Sequence, residues 1–343
     1  MDRIRTDVVI VIDVGVRILK SVLLLFPKGT VSKMKDIHGQ ALCIINPVAG
    51  KNGEGGKIWL SLKPIVSQYY EVADYYTKQR RDATAFTAEH SAGKDIIVCV
   101  GGDGTLNEVV TAIVQNGFST PLLYIPAGTT NDFARTIRAS KKPESAFKLM
   151  SDGIIVSQDV GLFDDKYVFV YVAAFGTITQ AASKTSQKLK NRWGYLAYII
   201  AGLKLLLQSK PVSATISTDT DTITGDFLLG FFSNSISVGG IVGLEKKKVA
   251  LNDGRFELLL VRYPKNIFSF LATVYKLLTG VFDEKQIIFM RASHVNFRSK
   301  DETQWTIDGE TVDAFSDSIN IGVKPKAFQL YVDTQVLKSA LYI

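Results

Sequence analysis

Asp103 lies in the turn Gly101-Gly102-Asp103-Gly104-Thr105. A glycine-rich turn that feeds a helix lets backbone N–H groups and the helix N-terminus face an anion. A carboxylate inside such a turn suits a Mg²⁺ ion beside a polyphosphate better than direct contact with bare phosphate. Asn107 and Glu108 follow in the first helical turn. Two similar stretches close other apolar runs: Asn46-Pro47-Val48-Ala49-Gly50-Lys51-Asn52-Gly53 and Gly128-Thr129-Thr130-Asn131-Asp132-Phe133. A sharp structural turn without a ligand would account for any one of them alone.

The run Ile96-Ile97-Val98-Cys99-Val100 before Asp103 is short, β-branched and closed by glycine, which predicts a buried strand. Leu106, Val109, Val110, Ile113 and Val114 then recur at helical spacing, so a helix is expected from near Thr105. Further strands are expected over residues 41–45, 69–77 (with Arg80 and Arg81 just beyond) and 122–125. Helices are expected over 56–67, broken near Pro64, and over 83–92. Strands alternating with helices predict a parallel sheet whose sites lie at the strands' carboxyl ends, so the four loops should meet at one crevice.

From about residue 157 the pattern changes to short strands, expected over 160–163, 167–174, 214–218, 227–233, 257–261, 294–298 and 304–307. Turns at Asp164-Asp165, Asp253-Gly254 and Asp308-Gly309 separate several of them. Helices are expected over 194–208 and 266–278, with a late strand over 328–332 that returns to the first domain. The fold class is therefore an α/β nucleotide-binding domain with a parallel sheet, followed by an all-β sandwich domain. The expected division is 34–158 plus 326–343 for the first and 159–325 for the second, with 1–33 as an extension.

The chain of 343 residues is long enough for two cores, and 46% hydrophobic residues argue against disorder. A net charge of +7 favours an anionic partner: nucleotide, nucleic acid or membrane surface. Cys43 and Cys99 fall in expected buried strands, and three scattered histidines offer no zinc-ligand spacing. Residues 8–26 are apolar, but Asp13, Arg17 and Lys20 make a membrane span costly and break a signal-peptide core. They are read as appended before a natural start at Met34, the other readings being an extra element or an interfacial anchor. Lys184, Lys188, Lys190 and Arg192, and the run Lys246-Lys247-Lys248, either face anionic lipid headgroups or are solvated surface. Residues 195–207 are apolar nearly all round, as a core helix would be.

Taken in order, Asn46-Pro47-x-x-Gly50-Lys51, Gly101 to Thr105 with Asn107-Glu108, and Gly128-Thr129-x-Asn131-Asp132-Phe133 resemble the diacylglycerol kinase catalytic domain. The nearest likeness is to the soluble bacterial lipid kinases of that family. It continues through Asn234-Ser235 with Gly239-Gly240, Leu251-Asn252-Asp253-Gly254-Arg255-Phe256 and Ile307-Asp308-Gly309-Glu310, and covers residue 34 to the C-terminus. The resemblance implies ATP and Mg²⁺ as cofactors and transfer of the γ-phosphoryl group to diacylglycerol, giving phosphatidic acid. It implies a cytoplasmic enzyme, peripheral at an anionic membrane surface, with no nucleic-acid partner; a homodimer stays open. Carried over by motif, nucleotide contacts fall on Asn46, Pro47, Val48, Ala49, Gly50, Thr77, Gly102, Asp103, Gly104, Thr105, Leu106, Asn107, Glu108 and Thr129. Asp103 would position Mg²⁺–ATP, and Glu310 would be the general base with Asp308 beside it. Asp253 would hold a structural metal with the backbone carbonyls of Ala250 and Arg255, although Asn252 stands where an acidic residue is common.

The residue chemistry agrees. Phosphoryl transfer needs positioning and charge neutralisation, and a carboxylate within reach to take the acceptor's proton. In a regular strand Asp308 and Glu310 would share one face; the other reading is a hairpin turn with a solvated Glu310. Kinases of phosphatidylglycerol, a sphingoid base or a polyprenol remain alternatives. NAD kinase shares the Gly-Gly-Asp-Gly-Thr turn but lacks the Asn46-Pro47 and Gly128 motifs. A non-catalytic nucleotide- or lipid-binding regulator would have no use for a base.

Overall fold

In the computed structural model, which describes residues 39–176, 210–235, 250–280, 282–312 and 317–337, the apolar run before Asp103 forms β3 (Ile96–Gly101), buried throughout. It pairs in parallel with β1 (Gln40–Ile45) on one side and β4 (Leu122–Pro126) on the other. β1 also pairs in parallel with β2 (Glu71–Tyr76). Alternate side chains point to opposite faces. Ala41, Cys43, Ile96 and Val98 pack with Trp59 and Leu62 of α1 (Glu54–Val66) and with Leu149 of α5 (Pro143–Asp152). Leu42, Ile44, Ile97 and Cys99 pack instead with Ala83 of α2 (Asp82–His90) and with Leu106, Val109 and Ile113 of α3 (Asp103–Asn116). The sheet is thus parallel with helices on both faces, and its four strand ends share one edge.

Several boundaries differ from expectation for local reasons. α3 begins at Asp103, two residues before Thr105, because Gly102 is still extended and an acidic residue suits the first turn of a helix. Pro64 does not break α1: it sits in the last turn, near Leu60, whose side chain is exposed, so a lost bond to the Leu60 carbonyl costs little. α4 (Asp132–Thr136) and α5 were not expected, although Pro143 at the start of α5 is a helix-entry signal.

The remaining strands are antiparallel: β5 (Ile154–Phe163), β6 (Tyr167–Phe169), β7 (Val172–Gly176), β8 (Val212–Thr218), β9 (Thr222–Ser233), β10 (Phe256–Arg262), β11 (Ile287–Ala292), β12 (His294–Ser299), β13 (Trp305–Ile307) and β14 (Glu310–Val312). They enclose a second core rich in aromatic rings, including Phe169, Phe175, Phe232, Phe256, Phe297 and Trp305. β15 (Ser318–Val332) links the two regions. It runs antiparallel to β12 and β5, and its Leu330 pairs in parallel with Leu122 of β4. The chain therefore returns to the parallel sheet, as expected, and the 15 strands among the described residues form one continuous sheet. α6 (Ile267–Thr279) sits between β10 and β11, capped by Asn266. Among the described residues no helix is long and apolar enough to cross a membrane. The N-terminal extension, the helix expected over 194–208, Gly239-Gly240 and both basic clusters lie outside the described residues.

Candidate active site

The three glycine-rich turns touch one another at the edge of the parallel sheet. Asn46 Nδ2 donates to Thr105 Oγ1 at 3.1 Å, and Asn46 Oδ1 accepts from the Val48 N–H at 3.2 Å. Gly50 adopts φ +79°, and a Cβ there would lie 2.4 Å from the Ala127 carbonyl oxygen. A Cβ on Gly128 would meet Gly102 Cα at 2.6 Å, so both backbones must be bare for these loops to abut. Asn131, at φ +49°, closes the last turn by exchanging two bonds with Gly128, at 2.9 and 2.8 Å.

Asp103 points into this junction. Its Oδ2 accepts the Asp132 N–H at 3.0 Å, while Oδ1 is buried with no hydrogen-bond partner. Burial raises its pKa, opposed by the Asp132 N–H and aggravated by the neighbouring Asp132 carboxylate. Burial likewise raises Asp132, opposed by Arg135. Two carboxylates at adjoining turns, each with a buried oxygen that has no hydrogen-bond partner (Asp132 Oδ1 faces Arg135 at 3.3 Å), form an arrangement that a divalent cation would neutralise. The donor set fits Mg²⁺.

The expected contact residues are used unevenly. Leu106 packs in the core at 1% exposure and its N–H already bonds Gly102, whereas Val48 and Thr129 lie open to solvent. The Thr77 N–H bonds the Ile45 carbonyl at 2.8 Å, tying the end of β2 to β1. Glu108 accepts the Arg81 and Ala83 N–H groups at 2.9 and 3.1 Å, capping α2 from α3.

The hairpin of β13 and β14 reaches the same region. Ile307 pairs with Glu310, leaving Asp308 and Gly309 as a two-residue turn with φ +48° and +88°. The two carboxylates therefore do not share a strand face. Asp308 is turned inward and buried, whereas the Glu310 side chain is 56% exposed and ion-paired with Arg80. Asp308 accepts the N–H groups of Val170, Tyr171 and Val172 at 2.6, 3.1 and 3.0 Å and Asn107 Nδ2 at 2.8 Å. This cradle explains why the strand expected over 167–174 is split into β6 and β7: its N–H groups at the break turn to a carboxylate. Burial still outweighs the four donors and pushes Asp308 up to about 6.

The Asp253 turn lies apart. Its neighbour Glu257 pairs with Ser233, which in turn pairs with Val172, so two strand steps separate it from the Asp308 cradle. Asp253 Oδ1 accepts the Arg255 N–H at 3.1 Å, and Oδ2 holds the Arg291 guanidinium. Arg291 Nε also contacts Glu257 Oε1 at 3.2 Å. The cation beside Asp253 in this arrangement is thus Arg291, and a divalent ion there would have to share the carboxylate with it. Asn234 Nδ2 and Gln158 Nε2 both hold the Leu251 carbonyl, at 3.1 and 3.0 Å, and Asp159 accepts the Gly254 and Lys326 N–H groups, each at 2.7 Å. Arg80, Asp132 and Arg291 were not picked out as site residues from the sequence. Asp132 stood inside a motif, but the partners of both arginines are distant in the chain.

Comparison with known proteins bears on this geometry. Residues 40–163 match the diacylglycerol kinase catalytic domain. Proteins described as diacylglycerol kinase from Staphylococcus aureus strains RF122 and MRSA252 are each 32% identical over 275 residues, 79% of this chain and 86% of theirs. A crystal structure of a diacylglycerol kinase from Bacillus anthracis superposes with a TM-score of 0.68 at 19% identity, covering 88% of this chain and all of that one. A second structure from that organism gives 0.71 at 21% identity. The chain therefore belongs to the diacylglycerol kinase family and is an ATP-dependent lipid kinase.

Proposed function

We propose that this kinase phosphorylates diacylglycerol to phosphatidic acid, with Mg²⁺, at an anionic membrane surface. The observation that carries the reading is the bond between Asn107 and Asp308, which docks the hairpin bearing Glu310 onto the second turn of α3, the helix that Asp103 opens. Asn46, Gly50, Gly102, Gly104, Thr105 and Thr129 line the junction of turns where a polyphosphate has backbone N–H groups and helix N-termini to face. Asp103, with its orphaned oxygen, would hold the Mg²⁺, aided through its Asp132 contact. When bound, Mg²⁺–ATP supplies the γ-phosphoryl group and neutralises its charge. Glu310 accepts the hydroxyl proton of the lipid as the new P–O bond forms and the bond to the ADP oxygen breaks. Asp308 holds the hairpin and takes no proton from the lipid.

Choice of acceptor rests on the names of the relatives. The test is incubation with γ-labelled ATP, Mg²⁺ and a mixed-micelle panel of diacylglycerol, phosphatidylglycerol, a sphingoid base and a polyprenol. Labelled phosphatidic acid as the main product supports the reading. Faster labelling of another lipid keeps the kinase and rejects the acceptor.

A further inference from the structure

Arg80 and Glu310, 230 residues apart in the chain, form an ion pair between the loop after β2 and the β13–β14 hairpin. Both side chains are largely exposed, 78% and 56%, and an exposed pair adds little to stability. The loop that presents Arg80 is, by contrast, fastened on both sides. Lys78 and Gln79 donate their N–H groups to Asp82 Oδ2 at 2.9 and 3.1 Å, upstream of which Thr77 is tied to β1. Downstream, Glu108 of α3 takes the Arg81 and Ala83 N–H groups, and Arg81 adopts φ +67° to make the turn. β1 and α3 are the elements that carry the Asn46 and Asp103 turns. The arm is therefore anchored to the nucleotide-side scaffold, while the hairpin is anchored separately through Asp308. Among the described residues Arg80 is the ion-pair partner formed by Glu310.

We propose that Arg80 is a positioning residue for phosphoryl transfer, holding the Glu310 carboxylate against the nucleotide loops. The inference rests on Glu310 as the general base. A half-exposed glutamate at a hairpin tip samples several rotamers, and misplacing a reacting group by about 1 Å costs on the order of 10²-fold in rate. A guanidinium presents a rigid fork of donors, so it restrains the orientation of the carboxylate it holds.

The test is steady-state kinetics with diacylglycerol micelles and Mg²⁺–ATP on the full chain, comparing R80M, R80K, E310Q and R80M/E310Q. Because the pair is exposed, all four should keep the wild-type Tm. R80M should lower kcat by about 10- to 10²-fold with ATP Kd and KM little changed, and R80K should recover part of the loss. On the E310Q background R80M should add less than about twofold, because the group through which it acts is already gone. Equal losses on both backgrounds, a rise in ATP KM at intact kcat, or wild-type turnover by R80M would each overturn the assignment. Wild-type turnover by E310Q is a different failure, since it removes the base itself.

Discussion

Asn107 Nδ2 bridges two acceptors, the Asp308 carboxylate at 2.8 Å and the Val168 carbonyl at 2.9 Å. One amide in the first turns of α3 thereby sets the height of the β13–β14 hairpin over the Asp103 turn. The bond joins residues 201 positions apart, tying the second half of the chain to the first.

Asp308 should accordingly matter more for stability than its neighbour. In Asp308→Asn a single carbonyl oxygen replaces two carboxylate oxygens that receive four donors, and the new amide N–H groups point at N–H groups. Each buried donor left unmatched costs about 1–3 kcal/mol. Urea unfolding should show Asp308→Asn clearly less stable than wild type and Glu310→Gln unchanged. Equal stability of both variants would mean that the cradle is not built around that carboxylate.

The same group gives a pH dependence of known sign. Its pKa rises on folding from 3.8 to about 6, so between those values the folded chain keeps a proton that the unfolded chain releases. This contribution favours folding on the acid side and is lost as pH rises through about 6. Unfolding free energies at pH 5 and pH 7 should fall in wild type by more than in Asp308→Asn. A larger fall in the variant would reverse the assignment.

Asp103→Asn should stay folded, because an amide oxygen can still accept the Asp132 N–H and a buried neutral group avoids the burial cost borne by the carboxylate. Turnover should drop about 10²-fold or more, the scale on which one preorganised electrostatic contact is lost. Near wild-type turnover at saturating Mg²⁺–ATP would place the metal elsewhere.

What could be read from sequence was whatever local pattern dictates. The buried run of β3 and the turn at Asp308-Gly309 carry their cause within a few residues, whereas the abutment of Gly102 and Gly128 does not. The orientation of Asp308 and Glu310 did not, because alternation in a strand fails at a two-residue turn. The break at Val170-Tyr171 is imposed by a carboxylate 138 residues away, and the Arg80 contact by a hairpin 230 residues away. β11 was missed despite the run Ile287-Ile288-Phe289-Met290, whose β-forming residues were a usable signal.

Arg291 offers a separate test of the Asp253 turn. Removing the guanidinium in Arg291→Met leaves Asp253 and the buried Glu257 without their cation, at a cost of about 3 kcal/mol or less given that Arg291 is 32% exposed. Without nucleotide, Mg²⁺ should raise the Tm of Arg291→Met by more than that of wild type, the Asp103 turn being the same in both. An equal rise in both proteins would mean that the Asp253 turn takes no divalent ion when Arg291 is removed.

The central claim is that Glu310 takes the proton of the lipid hydroxyl at the Asp103 junction. It is tested most directly by kcat and ATP Kd of Glu310→Gln, which keeps the volume and a hydrogen-bonding amide but cannot accept a proton. Positioned bases contribute about 10²- to 10⁴-fold, so kcat should fall by that order while ATP Kd, set by the loops of the parallel sheet, stays within about twofold. Undiminished turnover by Glu310→Gln would contradict the account.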